Sequence, residues 1–293
     1  MRLALLHSRV RVEERLLFDA FSARGVEPEL VDVRKETFDL AGPDRWRGID
    51  LAIDRSMSLS ASLTATRVLE AFGVRCVNRP GAIERCADKL RTSLELVRAG
   101  VPTPRVAVAA SPEAALQAVE SIGYPAVLKP TVGSWGRLLA RVNDRDAAEA
   151  IIEHRATLGS FHHHVFYAQE YIEKPGRDLR VFVVGGEAIA GITRTSEHWV
   201  TNTARSATAA RLDITPEIER ISVEAAAVTG ADIAAVDLLE CPSRGLLVNE
   251  INHSMEFRNS IDTTGVDIPG HVADHTLHIA RAITGAGRAE AAV

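Results

Sequence analysis

The chain has 293 residues, 46% of them hydrophobic and 25% charged, which is enough for more than one core, so two or three subdomains are expected. A formal net charge of -5 without any dense basic run argues against a general nucleic-acid binder, and no segment reaches the roughly 18 apolar residues a membrane span needs. Cys76, Cys86 and Cys241 are scattered, form no CxxC or Cys/His zinc spacing, and fit a reduced, cytoplasmic setting.

In chain order, "RLALLHS" reads as a first strand, its apolar run being too short for a signal peptide. "EERLLFDAFSARG" is an amphipathic helix ended by Gly25, "DLAIDRS" a second strand, and "SASLTATRVLEAFG" a helix ended by Gly73. "VRCVNRP" returns to the sheet, which makes a small α/β domain reaching to about Pro80. From "AIERCADKLRTSLELVRAG" one helix leads through Gly100, Pro102 and Pro104 to the strand "RVAVAA". The helix "SPEAALQAVESIG", the strand "PAVLKP", a glycine loop, the helix "DAAEAIIEHRATLG" and the strand "VFYAQEYI" follow. "DLRVFVVGGEAIAGITRTS" is a hairpin turning on its glycine pair. A polar loop through residue 211, a helix from about Pro216 to Thr229, the strand pair "IAAVDLLE" and "GLLVNEIN", and a helical stretch from about Pro269 complete the chain.

The last strand pair carries the strongest chemical signal. With its turn centred between Ser243 and Arg244, Asp237 falls opposite Glu250, and Glu250 shares a face with Asn252. Two carboxylates and a carboxamide oxygen converging there repel unless a cation lies between them, and hard oxygen donors suit magnesium held jointly with phosphates. A solvated acidic face would give the same letters. Lys129 ends a β-branched run directly before the glycine loop 131–137, where backbone amides and an ammonium can meet phosphate oxygens. The loop lacks the GK[ST] ending of a P-loop. Lys89 offers a second cation. "QEYIEKPGRDLR" reads as a hinge between lobes, where a purine would pair with backbone near Glu170 to Ile172 and Glu173 or Asp178 would accept ribose hydroxyls. Arg194, Arg205 and Arg258, near Asn202 and Asn259, suit bidentate grip on an acidic substrate. His162 to His164 are consecutive and splay apart, so they read as an exposed loop rather than a metal site. No convincing Ser/His/Asp or Cys/His set is present.

These residues stand in long, distinctive stretches: "NRPGAIERCADK", "GYPAVLKPTVGSWGRLLARV", "QEYIEKPGRDLRVFVVG", "HWVTNTAR" and "LLVNEINHSMEFRNSIDTTGVDIPG". Over nearly its whole length the chain resembles the ATP-grasp ligases, within them the RimK-like branch, and most closely the LysX-type enzymes that join 2-aminoadipate to the C-terminal glutamate of the small acidic carrier LysW. The resemblance implies an α/β (α+β) ATP-grasp fold with an N-terminal Rossmann-like domain over residues 1–85. A small central lobe over 86–172, a C-terminal lobe over 173–286 and a flexible tail over 287–293 would follow. It implies ATP contacts from Lys89, Lys129, Gly133, Ser134, Trp135, Gly136, Arg137, Leu138 and Leu139. Gln169, Glu170, Tyr171, Ile172, Glu173, Asp178, Arg180 and Asn202 would complete the nucleotide site. Asp237, Glu250 and Asn252 would hold magnesium. Arg194, Thr203, Ala204, Glu256, Phe257, Arg258, Asn259 and Ser260 would contact the acid substrate, and Lys129, Arg194 and Arg205 would be catalytic. Asn259-Ser260 matches the pair of aminoadipate-using members, where glutamate-using relatives carry Gly-Phe. One departure is that "SATAA" follows Arg205, where the family usually has two glycines.

The expected partners are therefore ATP, magnesium, a carrier protein ending in glutamate, and 2-aminoadipate or a related amino acid. Neither nucleic acid nor a membrane is expected as a partner, and a homo-oligomer is the family-level expectation. Arg9, Arg11, Arg55 and Arg67 are candidates for a basic surface that docks the carrier. A RimK-type or ArgX-type glutamate ligase, or a nucleotide-sensing module without turnover, are the rival readings.

Overall fold

Strand signals at the start of the chain resolve into a parallel sheet. In the computed structural model, residues 1–133, 137–159, 164–201 and 207–290 are described. β1 (Leu3–His7), β2 (Glu29–Asp32), β3 (Leu51–Arg55) and β4 (Arg75–Val77) lie in the order β2-β1-β3-β4, all parallel. β1 and β3 are buried along their whole length, as strands of a covered parallel sheet must be. β2 was not expected. It is the edge strand and buries only Val31, so its sequence carries little apolar pattern. α1 (Val12–Ser22) and α2 (Leu59–Ala71) make the crossovers.

The single helix expected after this domain is two, α3 (Pro80–Ala87) and α4 (Lys89–Arg98). Between them Asp88 is extended, at φ -109° and ψ 111°, and its backbone bridges to Val132 in the glycine loop. Its side chain caps α4 by accepting from the amides of Leu90 and Arg91 at 2.9 and 3.3 Å. Next, β5 (Val106–Ala109), β6 (Ala126–Lys129), β7 (Ala140–Val142) and β8 (Phe166–Glu170) form an antiparallel sheet in the order β5-β8-β6-β7. α5 (Pro112–Ile122) and α6 (Arg145–Leu158) pack with it around Val119, Leu128, Ile152 and Phe166.

The third sheet runs β11-β10-β9-β12-β13, from β9 (Arg177–Val184), β10 (Glu187–Thr195), β11 (Thr208–Arg211), β12 (Ile233–Cys241) and β13 (Gly245–Asn252). The β9–β10 turn is the predicted glycine pair, with Gly185 and Gly186 at φ 61° and 84°, a region side chains rarely adopt. β11 takes part of what reads as polar loop, because Thr208 to Arg211 pair with β10 and need no apolar face to do so. α7 (Pro216–Thr229) covers one face of this sheet, packing Ile218, Ile221 and Ala225 against Val181, Val236 and Leu238. The alternate residues Phe182, Val184 and Ala235 point the other way and join Leu3, Leu17 and Phe21 of the first domain in one core. α8 (Arg258–Thr264) and α9 (Ile268–Glu290) complete the molecule, and α9 extends into the segment expected to be a tail. No helix among the described residues is long and apolar enough to cross a membrane. All three cysteines are free thiols.

Candidate active site

The three sheets meet around one cavity of about 400 Å³. β6 delivers Lys129 to it at the point where Pro130 ends the strand. The side chain is 6% exposed, and its ammonium donates to Gln169 Oε1 at 2.8 Å and to Asn249 Oδ1 at 3.0 Å. Burial, with Lys89 and Lys174 nearby, lowers its pKa to about 8 against the pull of Glu250. Lys89 reaches the same space from the first turn of α4. Its Nζ donates to the Gly133 carbonyl at 2.8 Å and lies 3.7 Å from Glu250. The break at Asp88 thus positions a cation, and the backbone amide of Lys89 donates to Thr131 O at 2.8 Å, tying that cation to the start of the glycine loop.

Facing the lysines is the β12–β13 hairpin. Asp237 pairs with Glu250 in register, as the turn count predicts, and Glu250 and Asn252 line the cavity. The count needs one correction. From Leu238 outward the turn centres on Ser243 itself, with Cys241 opposite Gly245, and a bulge at Asn249 shifts the register by one at the site. The Asp237 carboxylate is held by both ends of the Arg180 guanidinium at 2.7 and 2.8 Å and by Arg194 at 3.1 Å. Burial alone would raise its pKa, but the two arginines hold it down at about 2. Arg194 also donates to Asp178 at 2.7 Å, and Thr201 donates to the other Asp178 oxygen at 2.5 Å.

Of the residues named from sequence, Lys89, Lys129, Gly133, Arg137, Leu139, Gln169, Glu170, Tyr171, Ile172, Asp178, Arg180, Arg194, Asp237, Glu250, Asn252 and Glu256 line this one cavity. Glu173 is exposed and Leu138 is 64% exposed, and neither lines it. Asp178 sits there, but Arg194 and Thr201 engage both its oxygens, so it is built as an anchor for a guanidinium rather than as an open ribose acceptor. Glu170 is likewise engaged, accepting from the Arg105 amide at 2.6 Å and from Arg244. Phe257, Arg258, Asn259 and Ser260 do not line the cavity. Phe257 is a core side chain, 1% exposed, that sets the start of α8, while Ser260 is buried and Arg258 and Asn259 face solvent. Ser134, Trp135, Gly136, Asn202, Thr203, Ala204 and Arg205, like His162 and His163, lie outside the described residues.

Sequence reasoning missed Asn249, Lys174, Thr201 and Trp199, all on the cavity wall. Asn249 directly precedes the named ligand Glu250, and alternation counted back from Glu250 and Asn252 placed it on the other face. The first domain contributes Arg11, Ser56 and Met57 as well. Arg11 spans to the C-terminal sheet's side, pairing with Glu14 at 2.8 Å and with Glu256 at 3.3 Å. The basic docking surface does not assemble. Arg55 is buried, donating to Glu14 at 3.3 Å and to Ser254 at 3.0 Å, and Arg67 pairs with Glu84 at 2.6 Å. Arg55 and burial together also lower the His253 pKa to about 4, burial being the larger cause.

Among the described residues no group of three His, Cys, Asp or Glu could hold a metal ion. The donors that fit one are hard oxygens, Glu250 and the Asn252 carboxamide, whose buried Nδ2 has no partner among the described residues and so does not fix the amide elsewhere; Asp237, with both oxygens engaged by Arg180 and Arg194, would join them by giving up a guanidinium contact. The arrangement sets two lysines on one wall, two acids and an amide on the other, and anchored arginines between. That is the charge arrangement a polyphosphate and its counter-ion require.

Comparison with known proteins agrees with that class. Residues 86–276 match the RimK-like ATP-grasp domain and residues 3–85 the LysX preATP-grasp domain. The chain is 32% identical over 278 residues to the glutamate–LysW ligase ArgX of Sulfurisphaera tokodaii, covering 94% of this chain and 98% of that protein. It is 34% identical over 224 residues to the α-aminoadipate–LysW ligase LysX of Sulfolobus acidocaldarius, covering 76% of this chain and 81% of that one. The crystal structure of a RimK domain ATP-grasp protein from Sphaerobacter thermophilus superposes with a TM-score of 0.80 at 31% identity, covering 94% of this chain and 99% of that chain. The chain belongs to the RimK-like ATP-grasp family. It is an ATP-dependent ligase with the ATP-grasp fold, as its resemblance implied.

Proposed function

We propose that the enzyme joins 2-aminoadipate, through its α-amino group, to the γ-carboxyl of the C-terminal glutamate of a small acidic LysW-type carrier, in the aminoadipate route to lysine. The observation that carries the ligase chemistry is the convergence of Lys129 and Lys89 on the Asp237–Glu250–Asn252 wall within one cavity. A carrier carboxylate oxygen attacks the γ-phosphorus of ATP, the bond to ADP breaks, and an acyl phosphate forms. Lys89 and Lys129 offset the charge on the phosphates. Arg194, fixed by Asp178 and Asp237, needs no reorganisation to stabilise the transferring group. Asp237, Glu250 and Asn252 would hold magnesium, which supplies charge neutralisation between phosphate oxygens. The amine then attacks the acyl carbon, the C–O bond breaks, phosphate leaves, and an isopeptide bond remains. Enclosure between the lobes keeps water from the acyl phosphate.

The choice of 2-aminoadipate rests on the Asn259-Ser260 pair. Glutamate is the second reading, because the glutamate-using relative matches more of the chain than the aminoadipate-using one does. Mass spectrometry of a carrier ending in glutamate, incubated with ATP, magnesium and the two amino acids in competition, separates them. The expected product is the carrier plus one aminoadipate residue, with equimolar ADP. A product one methylene lighter would establish glutamate, and ADP release without any carrier product would overturn both.

A further inference from the structure

β13 breaks the rule of alternation at one place. Leu247 packs with Leu239 and Ile172 on the cavity side, while Val248 points into the core beneath α7. Strict alternation would send Asn249 to the cavity and Glu250 to the core. Both line the cavity instead, together with Asn252, while Ile251, though it borders the cavity, buries its side chain in the core. The register gives the reason. Val248 lies opposite Leu238 and Glu250 opposite Asp237, so Asn249 is the extra residue of a β-bulge and has no partner across the ladder. The bulge puts two polar side chains side by side on one face. One is the acid opposite Asp237. The other is an amide whose Oδ1 accepts from Lys129 Nζ at 3.0 Å and from Gln169 Nε2 at 3.3 Å.

We propose that Asn249 is a positioning residue for the nucleotide: with Gln169 it fixes the Lys129 ammonium so that its remaining N–H and its whole charge face the phosphates. This rests on the reading of Lys129 as the lysine that binds ATP. An ammonium has three protons, and Gln169 and Asn249 take two of them, at 2.8 and 3.0 Å, leaving one for a ligand. Both acceptors are neutral. A carboxylate in either place would cancel the charge that the phosphate needs. The third contact, from Gln169 Nε2 to Asn249 Oδ1, closes the triangle and sets which end of the Gln169 amide meets the lysine.

The test measures binding of a non-hydrolysable ATP analogue to the full chain across pH 7 to 10, without divalent ions, so that the acidic wall adds the same repulsion in every variant and no metal bridges it to the phosphates. Asn249→Leu keeps the volume and removes the acceptor; Asn249→Asp keeps the acceptor and adds a charge. The other charges acting on Lys129, those of Lys89, Lys174 and Glu250, stay the same in every variant. The expected result for Asn249→Leu at neutral pH is binding weaker by about tenfold, the loss of one charge-assisted hydrogen bond. In the wild type, affinity falls as Lys129 loses its proton. In Asn249→Asp that fall moves up by about one pH unit or more, as an adjacent opposite charge requires. A side chain that merely packs would leave the midpoint where it was. Wild-type affinity and an unmoved midpoint in both variants would overturn the inference, provided Lys129→Met loses binding. Should Lys129→Met bind as the wild type does, the reading of Lys129 itself fails. If Asn249→Leu does not fold, the position of the midpoint in Asn249→Asp decides.

Discussion

Lys129 lies in the interior with amide partners and, among the described residues, no carboxylate bonded to it, so its charge costs the fold free energy, which the proposed nucleotide would return. Its pKa is lowered from 10.5 to about 8, so between those values the native state binds fewer protons than the unfolded one. The sign follows: this group makes stability rise with pH across that window. Urea unfolding at several pH values should show the slope in the wild type and lose it in Lys129→Met. Asp237 has the same sign of slope at the acid end. Its pKa is lowered from 3.8 to about 2, so its contribution is present above the unfolded value and is lost as pH falls through about 2. Asp237→Asn should remove that acid-limb term. It also leaves Arg180 and Arg194 short of a buried counter-charge, a loss of about 3–5 kcal/mol readable in the urea midpoint, beside the loss of the proposed magnesium ligand. Both residues were legible in the sequence because strand-end lysines and paired acids are local signals. Their partners were not. Arg180 and Asp178 were read as nucleotide contacts, and only the β9–β12 pairing brings Arg180 against Asp237.

Two irregular elements set the site, and both interrupt a regular pattern. Asp88 divides one periodic helix into α3 and α4, and Lys89 is the first residue after the division. Asp88→Ala removes a cap from two amides and should lower stability by about 1 kcal/mol in chemical denaturation. Because that cap also orients the turn holding Lys89, the same variant should weaken ATP binding several-fold. A variant that lost stability alone would show that α4 holds its place through packing. The second irregularity is the bulge at Asn249. Hairpin counting found the right pair, Asp237 and Glu250, through a turn centre that holds only on the inner side of the bulge. Sequence periodicity predicts the regular parts of an element, and a break whose cause is a tertiary contact leaves no period to read. Asp88 bridging to Val132 is such a contact. The helix and strand patterns of the first domain, the Gly185-Gly186 turn and α7 were legible because each is a local pattern.

Across the whole molecule, the packing is uneven. The antiparallel sheet of β5 to β8 has a core of its own around Val119, Leu128 and Phe166. The first and last sheets share one, fastened further by Arg75 to Asp232 at 2.8 Å and by Asn78, which donates to the carbonyls of Ile233 and His253 at 2.7 and 2.8 Å. Native-state hydrogen exchange should therefore find β5 to β8 opening as a separate unit at lower free energy, with β1 and β9 exchanging together near the global value. Exchange of β1 ahead of β9 would contradict this. An ATP analogue should slow exchange in β6 and in the amides of Thr131 to Gly133. The burial of Arg55 belongs to this scale too, since nothing local in "DRSMS" announces that a distant lobe will cover it. The shared core carries a consequence for how the protein is made. Leu3, Leu17 and Phe21 are synthesised well before Ile268, Val272 and Leu277 of α9, yet they close against them, with Arg24 clasping Asp274 at 2.6 Å. The β1–β4 domain of the nascent chain must wait, partly bare, until α9 has been made. An early sheet thus acquires the last side of its core only from a helix synthesised roughly two hundred residues later.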